Sequence, residues 1–247
     1  MEFTYAAYRD LLSLLRQGGY VFTDYHDYQA YSRCVILRHD IDNSLPQALR
    51  LAEIEADEGV KSTWFVLLRT DFYNPASASA QKTLRRIREL GHEIGLHFDE
   101  MAYSGEDGIE PCANSSTEER IVHEANILAD ICGCPVTTVS MHRPSKATLE
   151  ADLEIPGMVN SYGKTFFHDF KYLSDSRRRW REPVEDIIRG GEHDRLHILT
   201  HAFWYHEQER DITESVGAFI RSANNERYEQ MMENITDLPS ILPKGEI

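Results

Sequence analysis

A run of apolar residues ends in a histidine and two carboxylates in the sequence VILRHDID, which spans Val35 to Asp42. The apolar part has the composition of a buried strand, and in α/β proteins ligands and reactants gather where strands end. Asp40 and Asp42 point to the same side if the strand geometry continues past the apolar run. Like charges so close repel, and we expect a cation, a metal ion or a shared proton to offset them. The simpler alternative is a surface turn after a strand.

Three further predicted strands end in a histidine in the same way. They are HEIGLHFDE over 92–100, TTVSMHRP over 137–144 and HILTH over 197–201, and they contain His97, His142 and His201. One such histidine is usually structural, but parallel strands would bring all three side chains to one mouth. Neutral imidazole and carboxylate are common ligands of zinc and similar divalent ions. The sequence therefore predicts a divalent metal site at this mouth, with zinc as the expected ion.

Helical and strand patterns alternate along the chain. Residues 5–17, 45–58, 78–90 and 116–131 have helical periodicity, and short apolar or β-branched runs lie between them. This alternation implies a parallel sheet, and the absence of a glycine-rich phosphate loop disfavours a nucleotide-binding doubly wound fold. The length of 247 residues and the hydrophobic content of 41% suit one domain with a substantial core. We predict a single α/β domain over residues 1–247, a distorted (β/α) barrel of about seven mostly parallel strands.

The charge of the chain restricts its partners. The formal net charge is -15, which argues against nucleic acid or an anionic membrane surface as the main partner. The triplet Arg177-Arg178-Arg179 is a local basic patch that suits a phosphorylated substrate or, more simply, a solvated turn. No segment approaches the roughly 18 apolar residues of a transmembrane helix, and the first residues do not have the pattern of a signal peptide. We therefore expect a cytoplasmic protein without a transmembrane segment, acting on a small molecule.

The ordered motifs of the chain resemble those of the polysaccharide deacetylase superfamily, which includes carbohydrate esterase family four. These motifs are LRHDID at 37–42, STWFV at 62–66, GHEIGLH at 91–97, HRP at 142–144 and LTH at 199–201. The resemblance covers roughly residues 34–206. It implies a distorted β/α barrel, a divalent metal such as zinc, and hydrolysis of an N-acyl group, typically acetyl, from a sugar.

The resemblance also implies roles for individual residues. Asp40 matches the catalytic base, Asp42 and His97 match metal ligands, and His201 matches the histidine that protonates the leaving amine. Arg143 matches the arginine that orients the base. A separate candidate, Asp175, takes the place of the aspartate that tunes the acid histidine.

The second metal motif departs from the family pattern. The family has a second histidine four residues after the first, and this chain has Met101 there, a poor ligand for such ions. His142 is the natural substitute, and Asp99 and Glu100 are alternatives. The two aspartates of the first motif are also separated by Ile41 rather than adjacent.

Two residues are candidates for contact with substrate. Trp204 could stack on a sugar ring, or it could pack in the core. Arg38 could bind substrate, or it could offset the charge of the neighbouring aspartates.

Three functions remain open at this point. The first is a carbohydrate N-deacetylase acting on a nucleotide-linked or lipid-linked precursor of surface polysaccharide. The second keeps the metal but hydrolyses another C–N bond, such as that of a formyl group or a cyclic amide. The third is a catalytically silent barrel that serves as a binding or scaffold protein, for which the methionine in the metal motif is an argument.

Overall fold

The computed structural model describes residues 1–103 and 115–246. These residues form two compact units, Met1–Glu207 and Gln208–Ile247. The first unit carries every residue singled out from the sequence. The prediction of a single domain over 1–247 stays a prediction.

The first unit is an α/β structure built around one parallel sheet. Its helices are α1 (Tyr5–Gln17), α2 (Leu45–Asp57), α3 (Ala78–Glu89), α4 (Thr117–Cys132), α5 (Lys146–Ala151) and α6 (Val184–Gly190). Its strands are β1 (Val21–Thr23), β2 (Cys34–Ile41), β3 (Thr63–Leu67), β4 (Glu93–Asp99), β5 (Thr138–His142), β6 (Val159–Asn160), β7 (Lys171–Ser174) and β8 (Arg195–Thr200). Serine, proline or glycine residues mark the ends of several helices. At the start of α2, Ser44 accepts a hydrogen bond from the Gln47 amide, and a proline lies in the first turn.

The eight strands are paired in the order β6-β5-β4-β3-β2-β8-β7, and β1 also pairs with β2. Every pairing is parallel. Within the described residues no pairing joins β6 to β7, so the sheet curls into a barrel that is not closed by hydrogen bonds. The predicted distorted barrel of about seven parallel strands is therefore confirmed, with the short β1 as an addition.

The register decides which side chains face the barrel interior. Asp40 lies opposite Phe65, Leu67 lies opposite His97, and Asp99 lies opposite His142. Because side chains alternate along a strand, these residues point inward while their neighbours point toward the helices. The inward faces of β2, β4 and β5 therefore deliver the polar residues of the motifs to one end of the barrel.

Aromatic residues fill the lower interior, below the polar residues of the mouth. Phe65 packs edge-on against Tyr25 at 6.0 Å, and Tyr25 packs against Phe166 at 4.9 Å. Gly95 makes room for them, because a Cβ there would stand only 2.6 Å from the Phe65 ring. A residue larger than glycine would displace the ring that supports the site from beneath.

The second unit consists of α7 (Ile212–Met232), α8 (Leu238–Ile241) and a last 3-10 turn. Asp211 and Glu214 form a capping box at the start of α7. The Tyr228 hydroxyl donates to the carbonyl of Leu242 at 2.8 Å, which fastens the end of the chain to α7. Across the described parts of both units, no helix is long and apolar enough to cross a membrane.

Candidate active site

Four predicted site residues come from the carboxyl ends of different strands. Asp42 follows β2, His142 ends β5, Asp175 follows β7 and His201 follows β8. His97 lies two residues before the end of β4. They meet at the mouth of the barrel because the parallel strands all end on that side.

Asp42, His97 and His142 form the ligand cluster. His97 Nε2 lies 3.3 Å from Asp42 Oδ1 and 3.0 Å from His142 Nδ1, and His142 Nδ1 lies 3.4 Å from Asp42 Oδ1. Ligand atoms about 2.0–2.2 Å from one zinc ion in tetrahedral geometry stand about 3.3–3.5 Å apart. The three atoms therefore fit one cation, and the Asp42–His97 separation permits a shared ion.

Asp42 Oδ1 is buried without a hydrogen-bond partner in the described part of the chain, as is His97 Nδ1. Burial raises the pKa of Asp42, but its contacts with His142 and His97 and the nearby His201 outweigh burial and hold the pKa well below its usual range. A carboxylate that stays ionised with an unused buried oxygen suits a cation. The donor set of one carboxylate and two imidazoles is that of zinc and similar divalent ions.

Asp40 lies directly beneath this cluster, with Oδ2 at 3.7 Å from His97 Nε2. Arg38 holds it from the same strand, since one guanidinium nitrogen donates to Oδ1 at 3.0 Å and to Oδ2 at 2.7 Å. Burial raises the pKa of Asp40, and the charges of Arg38, His97 and His201 outweigh it, so the pKa is lowered. Asp40 is therefore an ionised carboxylate that can accept a proton next to the ligand cluster.

Two serines that the motifs did not indicate hold Arg38. It donates to Ser140 Oγ at 2.5 Å and to Ser161 Oγ at 3.0 Å, and its side chain is completely buried. Ser140 lies two residues before His142 on β5, so strand alternation alone could have placed it on the inner face. The prediction that Arg38 binds substrate does not suit this burial, because its guanidinium is enclosed by protein groups.

His201 stands on the other side of Asp42, with Nε2 at 3.8 Å from Asp42 Oδ2. Its Nδ1 lies 2.6 Å from Asp175 Oδ1, and its backbone amide donates to both oxygens of the same carboxylate at 3.1 Å. Burial lowers the pKa of His201, but the charge and hydrogen bond of Asp175 and the nearby aspartates outweigh it and raise the pKa to about 9. The structure thus brings Asp175 to the histidine that the sequence paired it with.

Arg143 is not part of this group. Its guanidinium donates to Asp99 Oδ2 at 2.6 Å, its side chain is 65% exposed, and its backbone has a φ of 48°. The expectation that Arg143 orients Asp40 does not match these contacts, because Arg38 occupies that place. A left-handed backbone at Arg143 turns its side chain toward the end of β4 instead.

The alternatives for the third ligand are engaged elsewhere. Asp99 accepts from Arg143 and from the amide of Met101, and Glu100 accepts from Ser145 and Thr148. Met101 itself is exposed. His142 is the imidazole that stands in the cluster.

Trp204 ends a short 3-10 helix after His201 and is partly buried against the core. Its ring packs against Phe203, with centroids 4.8 Å apart. Contact of Trp204 with substrate stays a prediction.

Comparison of the sequence with protein-family models gives no match, and comparison with curated proteins gives none. Solved structures do resemble the chain. A family 4 carbohydrate esterase from Bacillus anthracis has 13% identity and a TM-score of 0.43, and the match covers 87% of this chain and 84% of that one. A chitin deacetylase from the fungal pathogen Colletotrichum lindemuthianum has 19% identity and a TM-score of 0.44, over 76% and 81% of the two chains.

A third similar structure is a wild-type family 4 pseudoenzyme from Bacillus anthracis, with 14% identity and a TM-score of 0.43. The match covers 79% of this chain and 62% of that one.

Proposed function

We propose that this protein is a divergent member of the polysaccharide deacetylase superfamily and a metal-dependent hydrolase that removes an N-acyl group from a sugar. The observation that carries the proposal is the ligand cluster, whose three atoms lie 3.0–3.4 Å apart. An ionised carboxylate stands on one side of it and a histidine–aspartate pair on the other. A hydrolase of amide bonds needs a group that takes a proton from water and another that gives one to the amine.

Asp42, His97 and His142 would hold the divalent cation. Such a cation supplies polarisation of the acyl carbonyl and makes water a stronger acid at neutral pH. The remaining chemistry belongs to the side chains on either side of the cluster.

Asp40 takes the proton of the attacking water, because it is ionised and faces the cluster. Arg38 keeps its carboxylate in one orientation through two hydrogen bonds. His201 gives its Nε2 proton to the leaving nitrogen as the C–N bond breaks, and Asp175 fixes the ring through Nδ1. A base with a lowered pKa and an acid with a raised pKa hold opposite protonation states at one pH, as the reaction requires.

A phosphate-bearing precursor, linked to a nucleotide or a lipid, is the substrate we propose. The loop that follows Asp175 carries Arg177, Arg179 and Arg181, all exposed. None of the three has a carboxylate within ion-pair distance in the described residues. By contrast, Arg143 and Lys164, which follow the carboxyl ends of β5 and β6, pair with Asp99 and Asp152.

Unpaired guanidinium groups beside the acid histidine suit an anionic part of the substrate, since guanidinium binds phosphate through paired hydrogen bonds. A precursor of this kind is made inside cells, which agrees with the expected cytoplasmic location. The location itself stays a prediction from the sequence.

The test of the function begins with the metal content of the purified protein. We then expect release of acetate from N-acetylated nucleotide sugars by the zinc-loaded protein and its loss after chelation. Small formamides and cyclic amides serve as the comparison substrates. Turnover of those amides alone would indicate a hydrolase of another C–N bond. Stoichiometric metal binding without turnover of any substrate would indicate a catalytically silent protein.

The substrate class has its own test. Arg177→Gln and Arg179→Gln should raise KM for a nucleotide sugar at least about 10-fold, because each removes a charge-assisted contact with phosphate. KM for the same sugar without phosphate should not change. Arg189→Gln is the matched control, since Arg189 is an exposed arginine on α6 that pairs with Glu185. Equal KM values for both substrates in all variants would reject a phosphate-bearing substrate.

A further inference from the structure

A second set of titratable residues lies behind the sheet, between β2 and the helix layer. Its centre is Glu55 of α2, which is completely buried. Oε1 accepts from the Tyr8 hydroxyl at 2.6 Å and from His39 Nε2 at 2.9 Å, and Oε2 accepts from Ser62 Oγ at 2.6 Å. His92 Nδ1 lies 3.7 Å from Oε2. We call these five residues the Glu55 cluster.

One branch of the Glu55 cluster reaches the end of β8. The Thr200 hydroxyl lies 2.6 Å from His39 Nδ1, and His39 Nε2 faces the Glu55 carboxylate. A carboxylate only accepts, so Nε2 carries a proton and donates to Glu55, while Nδ1 shares a hydrogen bond with the Thr200 hydroxyl. The result is a hydroxyl–imidazole–carboxylate chain of the type found in hydrolases.

This chain is not a second active site. His39 and Glu55 are completely buried and Thr200 is 1% exposed, so no substrate reaches the hydroxyl. The His39 ring also stacks on Trp64, with centroids 4.0 Å apart, which holds the ring inside the core. Its role must therefore be exerted through neighbouring residues.

The positions of His39 and Thr200 in the chain indicate that role. They are the last pair in the β2–β8 register, and beyond them the backbone ladder ends. The base Asp40 follows His39 directly and the acid His201 follows Thr200 directly. The side-chain bond between His39 and Thr200 thus joins the two strands at the last ladder position before Asp40 and His201.

We infer that the chain Glu55–His39–Thr200 is a positioning device that sets the separation of Asp40 and His201 across the mouth. The inference rests on the proposed function of these two residues. Because His39 points to the helices while Asp40 points inward, the device works from the rear face of the sheet without touching substrate. Misplacement of about 1 Å by a distant mutation can cost about 100-fold in rate, so a lateral bond at this point is sufficient to matter.

Thr200→Val tests the inference, because it removes the hydroxyl while keeping the shape of the side chain. We expect kcat to fall roughly 10-fold with KM and metal stoichiometry unchanged. Ser62→Ala is the matched control, since it removes a hydroxyl that donates to the same carboxylate but lies far along the chain from the catalytic residues. It should lower stability to a similar extent and leave kcat unchanged.

His39→Gln sharpens the test. The Gln amide can still donate to Glu55, but its oxygen lies at the end of the side chain and not at the position of Nδ1 opposite Thr200, so its effect on kcat should not add to that of Thr200→Val. Additive effects, or an equal fall of kcat in Ser62→Ala, would overturn the inference.

A readout without substrate separates this inference from the proposed function. The NMR signal of the His201 Nδ1 proton, which is held by Asp175, should shift in Thr200→Val and His39→Gln and stay in place in Ser62→Ala. An unshifted signal in the first two variants would reject the positioning role whether or not the protein is a deacylase.

Discussion

The ligand cluster and the Glu55 cluster contain the same kinds of side chain, one carboxylate and two imidazoles each, on opposite sides of β2. In the Glu55 cluster every carboxylate oxygen has a hydroxyl or imidazole donor, and His92 Nε2 also reaches a backbone oxygen, that of Ala52, at 2.9 Å. In the ligand cluster Asp42 Oδ1 has no hydrogen-bond partner among the described residues, although it is buried.

The difference teaches that residue type does not define a metal site. A buried carboxylate whose two oxygens both accept hydrogen bonds stabilises the fold, whereas one with an unused oxygen beside two imidazoles has capacity left for a cation. Solvent exposure differs in the same sense, since the Asp42 side chain is 31% exposed and the Glu55 side chain is not exposed at all.

The largest expected effect is the loss of zinc binding when a histidine of the ligand cluster is replaced, compared with a histidine of the Glu55 cluster. His97→Ala should abolish stoichiometric zinc binding, a loss greater than the roughly 10–100-fold that removal of an outer partner costs. His92→Gln in the Glu55 cluster should bind zinc as the wild type does. Both are measured by metal analysis after dialysis against chelator and readdition of zinc. Full zinc occupancy in His97→Ala would reject His97 as a metal ligand. Unchanged zinc affinity in His142→Ala would show that another residue is the third ligand.

Asp40→Asn separates chemistry from metal binding at the same mouth. We expect kcat to fall about 10²–10⁴-fold, because the amide cannot take a proton from water, while metal stoichiometry is retained. Steady-state kinetics and metal analysis on the same preparation provide the measurement. Unchanged turnover would reject Asp40 as the base.

Arg38 and Arg143 each pair with a carboxylate, but the Arg38–Asp40 pair is buried and Arg143 is mostly exposed. Arg38→Lys keeps the charge but loses the planar guanidinium that donates to Asp40, Ser140 and Ser161 together, so kcat should fall about 10–100-fold with metal retained. Arg143→Ala removes a pair whose arginine is mostly exposed, and kcat should stay within about 2-fold of wild type. The opposite order of effects would restore the orienting role to Arg143.

Stability should respond more to the rear cluster than to the front one. Glu55→Ala leaves His39 and the hydroxyls buried without their acceptor, and the free energy of unfolding should fall by about 3–5 kcal/mol. Asp42→Asn, measured without metal, should lower it by less than Glu55→Ala does, because the Asp42 side chain is 31% exposed and its contacts with His97, His142 and His201 are 3.3–3.8 Å long. Urea unfolding of both variants with chelator present gives the values. A greater loss in Asp42→Asn would show that the front cluster is structural.

The smallest effect concerns acid stability. Burial lowers the pKa of His92 in the folded protein, with Glu55 opposing it only in part. A histidine with a lowered folded pKa stabilises the fold above its unfolded pKa of about 6.5, and this contribution is lost as the pH falls toward the folded value. The free energy of unfolding should therefore decline below about pH 6.5 more steeply in wild type than in His92→Gln. Parallel curves would show that His92 does not titrate between the two states.

Much of the site could be predicted from the sequence because strand alternation and strand ends obey local rules. The two-residue spacing of Asp40 and Asp42, and the histidines that end later apolar runs, were enough to predict one mouth with several imidazoles. The pairing of Asp175 with His201 was implied by the resemblance to the deacetylase superfamily. The fold class followed from the alternation of helix and strand patterns.

What remained open were choices between side chains of the same type. Arg38 and Arg143 were both available to Asp40, and His39 stood between Arg38 and Asp40 without an assigned role. Strand alternation sends His39 to the helix layer, but only the packed structure brings Glu55 and Thr200 to its two nitrogens. Long-range contacts of this kind depend on where α2 and β8 lie, and no local pattern encodes those positions.

The sequence by itself determined the alternating α/β architecture and the set of residues that reach the mouth, because side-chain direction in a strand depends only on position along it. The tertiary structure decided which guanidinium meets Asp40, which imidazole lies beside Asp42 and His97, and which carboxylate has an oxygen without a hydrogen-bond partner among the described residues. These outcomes depend on distances between strands and helices remote in sequence, and hydrogen-bond and ion-pair energies change sharply over a few ångströms.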